Sequence, residues 1–243
     1  MKNRFLALAI AALLAVPLAP LQAADGRVER IGFAGGATST TIKGKVQGYH
    51  YVDYVFRAGA GQPLSVDLKK SNPQNYFNLI PPGAEAAMFI GSIGENFKGV
   101  LPADGDYTIR VYLMRAAARR HESSRYTLTV ALAGQPLPAV PAATDALVPG
   151  TPFHATARIG CRHPLDPQLS QCEAGVVRRR GEATATVEVR GPDRLLRRIL
   201  FVQGQPVASD SNSPVRSERH GDLSRVSLDG ESYDIPDALL NGG

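Results

Sequence analysis

The sequence predicts an all-β protein, with a β-sandwich or jelly-roll-like first domain and a smaller β-rich second domain. Three observations carry that expectation. Short runs alternate apolar and polar residues with period two, which marks strands with one buried and one wet face. Turn-forming residues punctuate these runs at regular spacing. The chain also holds 24 Gly and 18 Pro among 243 residues, more than a helical bundle accommodates. With 44% hydrophobic and 20% charged residues, the composition excludes collagen, a long coiled coil and wholesale disorder.

Taken in chain order, the first segment is an export signal. Lys2 and Arg4 supply a positive start, and Phe5 to Val16 is an unbroken apolar stretch. Leu21-Gln22-Ala23 ends in a small residue, which places cleavage after Ala23, with Ala24 as the alternative. Residues 1–23 are therefore assigned as a signal peptide. The apolar stretch is shorter than the roughly 20 residues of a membrane-spanning helix. No Cys stands near the cleavage site to take a lipid. The mature protein is expected in a bacterial periplasm, without stable membrane insertion.

Residues 25–134 read as the sandwich. Val52-Asp53-Tyr54-Val55-Phe56, Leu64 to Leu68, Tyr107 to Tyr112 and Tyr126 to Val130 alternate cleanly. Ala60-Gly61-Gln62-Pro63 and Ala103-Asp104-Gly105-Asp106 read as turns, the second as a tight Asp-Gly pair. Leu113 to Glu122 consists of helix formers between two strong strands and predicts a helical turn or long loop at one end of the sandwich. Residues 135–150, rich in Pro and Ala, predict an extended, semi-rigid linker. Residues 151–243 form the second domain, with strands expected at Ala155 to Ile159, Thr184 to Val189, Ile199 to Val202 and Leu223 to Leu228. Asp229-Gly230 turns the last of these into Glu231 to Ile235, and Asp210 to Pro214 is a loop.

The two cysteines, Cys161 and Cys172, fall in the second domain, and an oxidising compartment makes a disulfide between them the default. His163 lies near, but Cys-x-His with one distant Cys matches no metal pattern, and no metal or cofactor is expected. Zinc-protease, nucleophile-elbow, phosphate-loop and dinucleotide motifs are absent, so the residues give no reason to invoke an enzyme. The formal charge is +5, and residues 25–135 hold 13 Lys and Arg against 9 Asp and Glu. That excess is small, and with an export signal it argues against a nucleic-acid partner.

Three polar and aromatic clusters are candidates for contact with a partner. They are Gly48-Tyr49-His50-Tyr51-Val52-Asp53-Tyr54 with its three tyrosines, Ser71 to Asn78 followed by Pro81-Pro82-Gly83, and the group Arg115, Arg119 and Arg120. Helical spacing would put Arg115 and Arg119 on one face. Tyr and Arg anchor interfaces, and Arg forks onto carboxylates. The competing reading makes the tyrosines core and the arginines a solvated rim.

A set of short motifs runs through the first domain: Thr41-Ile42-Lys43-Gly44, Gly48-Tyr49 with Val52-Asp53-Tyr54, Ser71-Asn72 with Asn75-Tyr76-Phe77-Asn78, and Gly91-Ser92. Leu101-Pro102 with Asp104 to Ile109, and Val111 to Arg115 with Ala118-Arg119-Arg120, complete the set. On these motifs the stretch from about Ile31 to Val130 resembles the periplasmic inhibitors of goose-type lysozyme. The resemblance implies a noncatalytic sandwich whose partner is a goose-type lysozyme and whose loops occlude the substrate cleft. It implies contact roles for Arg115, Arg119, Ser71, Asn72, Tyr76 and Tyr49. The second domain resembles uncharacterised proteobacterial envelope modules. The alternative is a noncatalytic cell-envelope binding module, for peptidoglycan or an envelope protein.

Overall fold

A computed structural model of the chain describes residues 26–33, 36–164, 166–191 and 195–242. The export signal and its cleavage point lie outside the described residues. The first domain is a sandwich of two sheets. One has the order β1 (Gly26–Arg30), β3 (Tyr51–Ala58), β8 (Gly105–Leu113), β5 (Asn75–Ile80) and β6 (Phe89–Ile90). The other runs β2 (Ser39–Gln47), β9 (Ser123–Leu132), β4 (Pro63–Lys70) and β7 (Phe97–Val100). All pairings are antiparallel except β1 with β3.

The alternation seen in the sequence has its expected cause. On β8, Tyr107, Ile109 and Val111 point into the core, while Thr108, Arg110 and Tyr112 face out. Leu64, Val66, Leu128 and Val130 close the core from the second sheet. The sheets also join through a buried pair, with the Tyr54 and Tyr126 hydroxyls 2.8 Å apart. Each buried tyrosine thereby keeps a partner for its polar end.

The second domain is a single antiparallel sheet of eight strands. Its strands are β10 (Ala155–His163), β11 (Asp166–Arg178), β12 (Ala185–Arg190), β13 (Leu196–Val202), β14 (Gln205–Ser209), β15 (Arg216–His220), β16 (Leu223–Leu228) and β17 (Glu231–Pro236). The order β14-β13-β12-β11-β10-β17-β16-β15 brings the two outer strands together, so the sheet curls around its own core. A short helix, α2 (Asp237–Asn241), adds Leu239 and Leu240 to that core. Asp229 and Gly230 both take positive φ, 50° and 77°, as the anticipated tight hairpin requires. Cys161 and Cys172 form a disulfide across the β10–β11 hairpin. Closing so short a loop restricts the unfolded chain by about 2–3 kcal/mol.

The segment after Gly134 is extended, and both domains hold it. Leu137 N–H donates to Ala60 O at 2.8 Å, and Val140 N–H donates to Arg178 O at 2.9 Å. His154 fixes the same stretch: its Nε2–H donates to Val140 O at 2.9 Å while its Nδ1 accepts from Arg178 N–H at 3.0 Å. Leu137 packs directly on Gly61, at φ 83°, where any side chain would collide with it.

The domains also touch directly. Arg179, with its side chain 2% exposed, donates to Asp104 Oδ2 at 3.0 Å, to Leu137 O at 2.7 Å and to Thr186 Oγ1 at 2.9 Å. Thr186 then donates to Pro102 O at 2.7 Å. Ala60, Leu200 and Ala208 form a small apolar cluster beside them, with Val100, Leu137 and Val202 at its edge. Asp104-Gly105, read from the sequence as a tight turn, is instead where the chain crosses from one sheet to the other. The Asp104 carboxylate is spent on Ala60 N–H, at 2.8 Å, and on Arg179.

Asp210, in the β14–β15 connection, is buried near this junction, and burial pushes its carboxyl up to about 6. Arg198 backbone N–H donates to it at 2.8 Å. A raised carboxyl binds its proton more tightly in the folded chain than in the unfolded one. Its contribution therefore grows as pH falls through about 6 and is lost as pH rises through that window. Comparing pH 7.5 with pH 5 by denaturant unfolding, wild type is expected to gain about 1–2 kcal/mol relative to Asp210→Asn. Parallel pH profiles for the two proteins would show that this carboxyl does not titrate there.

Candidate functional site

Strand directions define two ends of the sandwich. β3 and β8 run between Tyr51 and Leu113 at one end and Ala58 and Gly105 at the other. The second end, with Ala60, Pro102 and Asp104, is the one that meets the second domain. The first end carries four connections, and three of them cluster together without a hydrogen bond or ion pair to the other domain among the described residues. These three are the β2–β3 turn at Gly48–His50, the β4–β5 turn at Ser71–Gln74, and α1 (Arg115–Arg119) between β8 and β9.

Local sequence explains α1. Ala116, Ala117 and Ala118 are strong helix formers, and Ala117 and Ala118 are small enough to be buried under the sheet ends. After the helix, His121 takes φ 55° and its N–H donates to Ala118 O, while Glu122 N–H donates to Ala117 O. That pair of bonds is the Schellman arrangement, which stops the helix after little more than one turn. Arg115 and Arg119, four residues apart, are left exposed on one side.

Glu122 is the hub of this end. One carboxylate oxygen accepts from Asn72 Nδ2 at 2.8 Å and the other from Arg120 Nε at 2.7 Å. Its backbone carbonyl accepts from Gly48 N–H at 2.9 Å, so one residue ties all three connections together. The Asn72 amide first, and the Arg120 guanidinium second, hold the Glu122 carboxyl below its usual range. Met114 N–H donates to Gln74 O at 2.9 Å, and Ser71 pairs twice with the Arg125 backbone. The cluster is therefore braced before any partner arrives.

The sequence-derived candidates sort into two groups. Arg115 and Arg119 have no ion pair among the described residues, and Tyr49 is 40% exposed on its turn beside them. These three present free groups outward. Ser71 and Asn72 are in the same cluster, but their side chains brace it: Asn72 Oδ1 accepts from Gln74 N–H at 2.9 Å, and Ser71 Oγ accepts from Arg125 N–H at 2.9 Å. Tyr76 stands apart on the outer face of β5, half-buried, with Lys70 Nζ 4.0 Å from its ring centre. Glu122 and His121 were not legible as functional residues. No local pattern distinguishes a carboxylate that organises loops from one that is merely solvated.

Among the described residues, Cys161, His163 and Cys172 are grouped closely enough to suggest a metal site. The disulfide consumes both thiolates there, and the cluster lies in the other domain.

No family model matches the chain. A crystal structure of a periplasmic inhibitor of g-type lysozyme from Aeromonas hydrophila is 35% identical, over 46% of this chain and 100% of that one, with a TM-score of 0.43. Its Salmonella Typhimurium counterpart is 26% identical, over 45% of this chain and 100% of its own, with a TM-score of 0.36. The Escherichia coli K12 protein named inhibitor of g-type lysozyme is 27% identical over 124 residues, which is 49% of this chain and 92% of that protein. The matches take in slightly less than half of this chain and nearly all of each inhibitor. Over that share of its length the chain is similar to the inhibitors of g-type lysozyme.

Proposed function

We propose that the protein is a periplasmic inhibitor of goose-type lysozyme that occludes the enzyme's substrate cleft with the free end of its sandwich. The observation that carries this reading is the pair Arg115 and Arg119, exposed and without a carboxylate of their own. A glycosidase of this kind needs an acidic group in a cleft to protonate the leaving oxygen. A guanidinium brought against that acid holds it ionised, the wrong state for a general acid. Tyr49, on the neighbouring turn, is placed to fill an adjacent sugar subsite. The protein itself performs no chemistry in this reading. The bracing around Glu122 supports it further, because loops ordered in advance lose less freedom on binding.

The test is an inhibition assay on cell walls with the chain lacking residues 1–23. Removing the second domain as well would strip Asp104 of Arg179 and Pro102 O of Thr186, so the whole mature chain is the appropriate sample. Inhibition of goose-type lysozyme at about micromolar protein or below is expected, with hen-type enzyme unaffected. Undiminished hydrolysis in the presence of folded protein would overturn the reading.

A further inference from the structure

Every lysine of the chain except Lys2 stands on one sheet. Lys43 and Lys45 are on β2, Lys69 and Lys70 on β4, and Lys98 on β7. Strand alternation turns Lys43, Lys45, Lys69 and Lys98 outward, and β9 adds Arg125 to the same face. Register makes them an array. Lys45 is directly opposite Arg125, and Lys43 and Lys69 flank Thr127 from its two sides, about 10 Å apart across two strand spacings. The four strands contribute one carboxylate, Asp67.

None of these five cations makes an ion pair among the described residues. Elsewhere on the surface Arg30, Arg110, Arg120, Arg219 and Arg225 each reach a carboxylate of the chain. Like charges directly opposed on neighbouring strands weaken a sheet, so folding does not account for Lys45 facing Arg125. Lysines on edge strands guard against strand-to-strand aggregation, and β2 and β7 are edges. Lys69 and Arg125 lie on the inner strands β4 and β9, where there is no edge to guard.

We propose that this face docks the protein on an anionic lipid bilayer, its cations resting among phosphate headgroups. The charges are spread over two dimensions of a sheet face, which matches a plane of anions better than a single strand of polymer. The residue choice agrees. Ammonium and guanidinium groups on flexible stems both pair with phosphates of no fixed arrangement. A cluster of four to eight basic residues is the scale at which anionic membranes hold a protein. Among the described residues no helix is long and apolar enough to cross a membrane, so the attachment is peripheral and sensitive to salt. The array lies on a flat side of the sandwich, whereas Arg115 and Arg119 are at its end.

Sedimentation with vesicles tests this on the mature chain. Phosphatidylcholine vesicles containing phosphatidylglycerol are expected to bind at least tenfold more protein than pure phosphatidylcholine, and high salt to abolish the difference. The combined substitution Lys43→Gln, Lys45→Gln, Lys69→Gln and Arg125→Gln should lose at least tenfold in binding with its melting midpoint and lysozyme inhibition retained. Replacing the same three lysines by arginine should preserve binding. Equal binding to both vesicle types, full binding by the glutamine variant, or loss in the arginine variant would each overturn the proposal. Capture by a soluble polyphosphate without vesicle binding would overturn the lipid assignment.

Discussion

Reversing both free guanidiniums, Arg115→Glu with Arg119→Glu, is expected to weaken inhibition of goose-type lysozyme at least a hundredfold, about 3 kcal/mol. Two attractive contacts with a cleft carboxylate become two repulsions, and truncating one partner of a buried interfacial charge pair already costs 2 kcal/mol or more. The melting midpoint should hardly move, because neither side chain bonds to the rest of the chain among the described residues. The single change Arg115→Ala is expected to cost about 1 kcal/mol or more. Arg120→Ala is the informative control. Arg120 already pairs with Glu122, so its loss should loosen the cluster without removing a free cation. An Arg120 effect larger than that of the double reversal would place the contact elsewhere.

The second large effect belongs to the junction. Arg179→Met should destabilise the protein by about 2–4 kcal/mol, because it strands Leu137 O in a buried site, removes the donor to Thr186 Oγ1 and leaves Asp104 without its cation. Arg179→Lys is not expected to rescue it, since one ammonium cannot reach three acceptors with the geometry of a planar fork. Denaturant unfolding followed separately in each domain should change from one shared transition to two. A single unshifted transition in Arg179→Met would mean that the domains do not depend on this contact.

Much of the fold was legible because the period-two pattern and the core agree residue by residue. Tyr107, Ile109 and Val111, or Leu64, Val66 and Leu68, alternate in the sequence and are buried in the structure. β2 was harder to read, since Ile42 and Val46 are separated by Gly44, whose missing side chain makes room for the Tyr126 ring. The composition of residues 135–150 reads as a spacer and gives no sign of a strap, since the partners Ala60 and Arg178 are remote in sequence. At the free end, Arg115 and Arg119 stand out because three like charges gather with Glu122 as the one acid close by in the sequence. Ser71 and Asn72 stood out by resemblance, yet their side chains turn inward to hold the turns. Asn75, grouped in the sequence with the contact candidates, is instead fully buried, and neither polar atom of its amide meets a partner among the described residues.

The single parallel pairing of the sandwich bears on how the protein is handled. β1 starts opposite Tyr51, so Gly26 sits at the same end as the exposed arginines, and its ring neighbour is Tyr51 itself. An affinity tag or reporter fused ahead of Gly26 would hang beside the surface proposed to meet the enzyme and is expected to blunt any titration. Fused after α2, the same cargo would ride on the far domain and leave that approach clear.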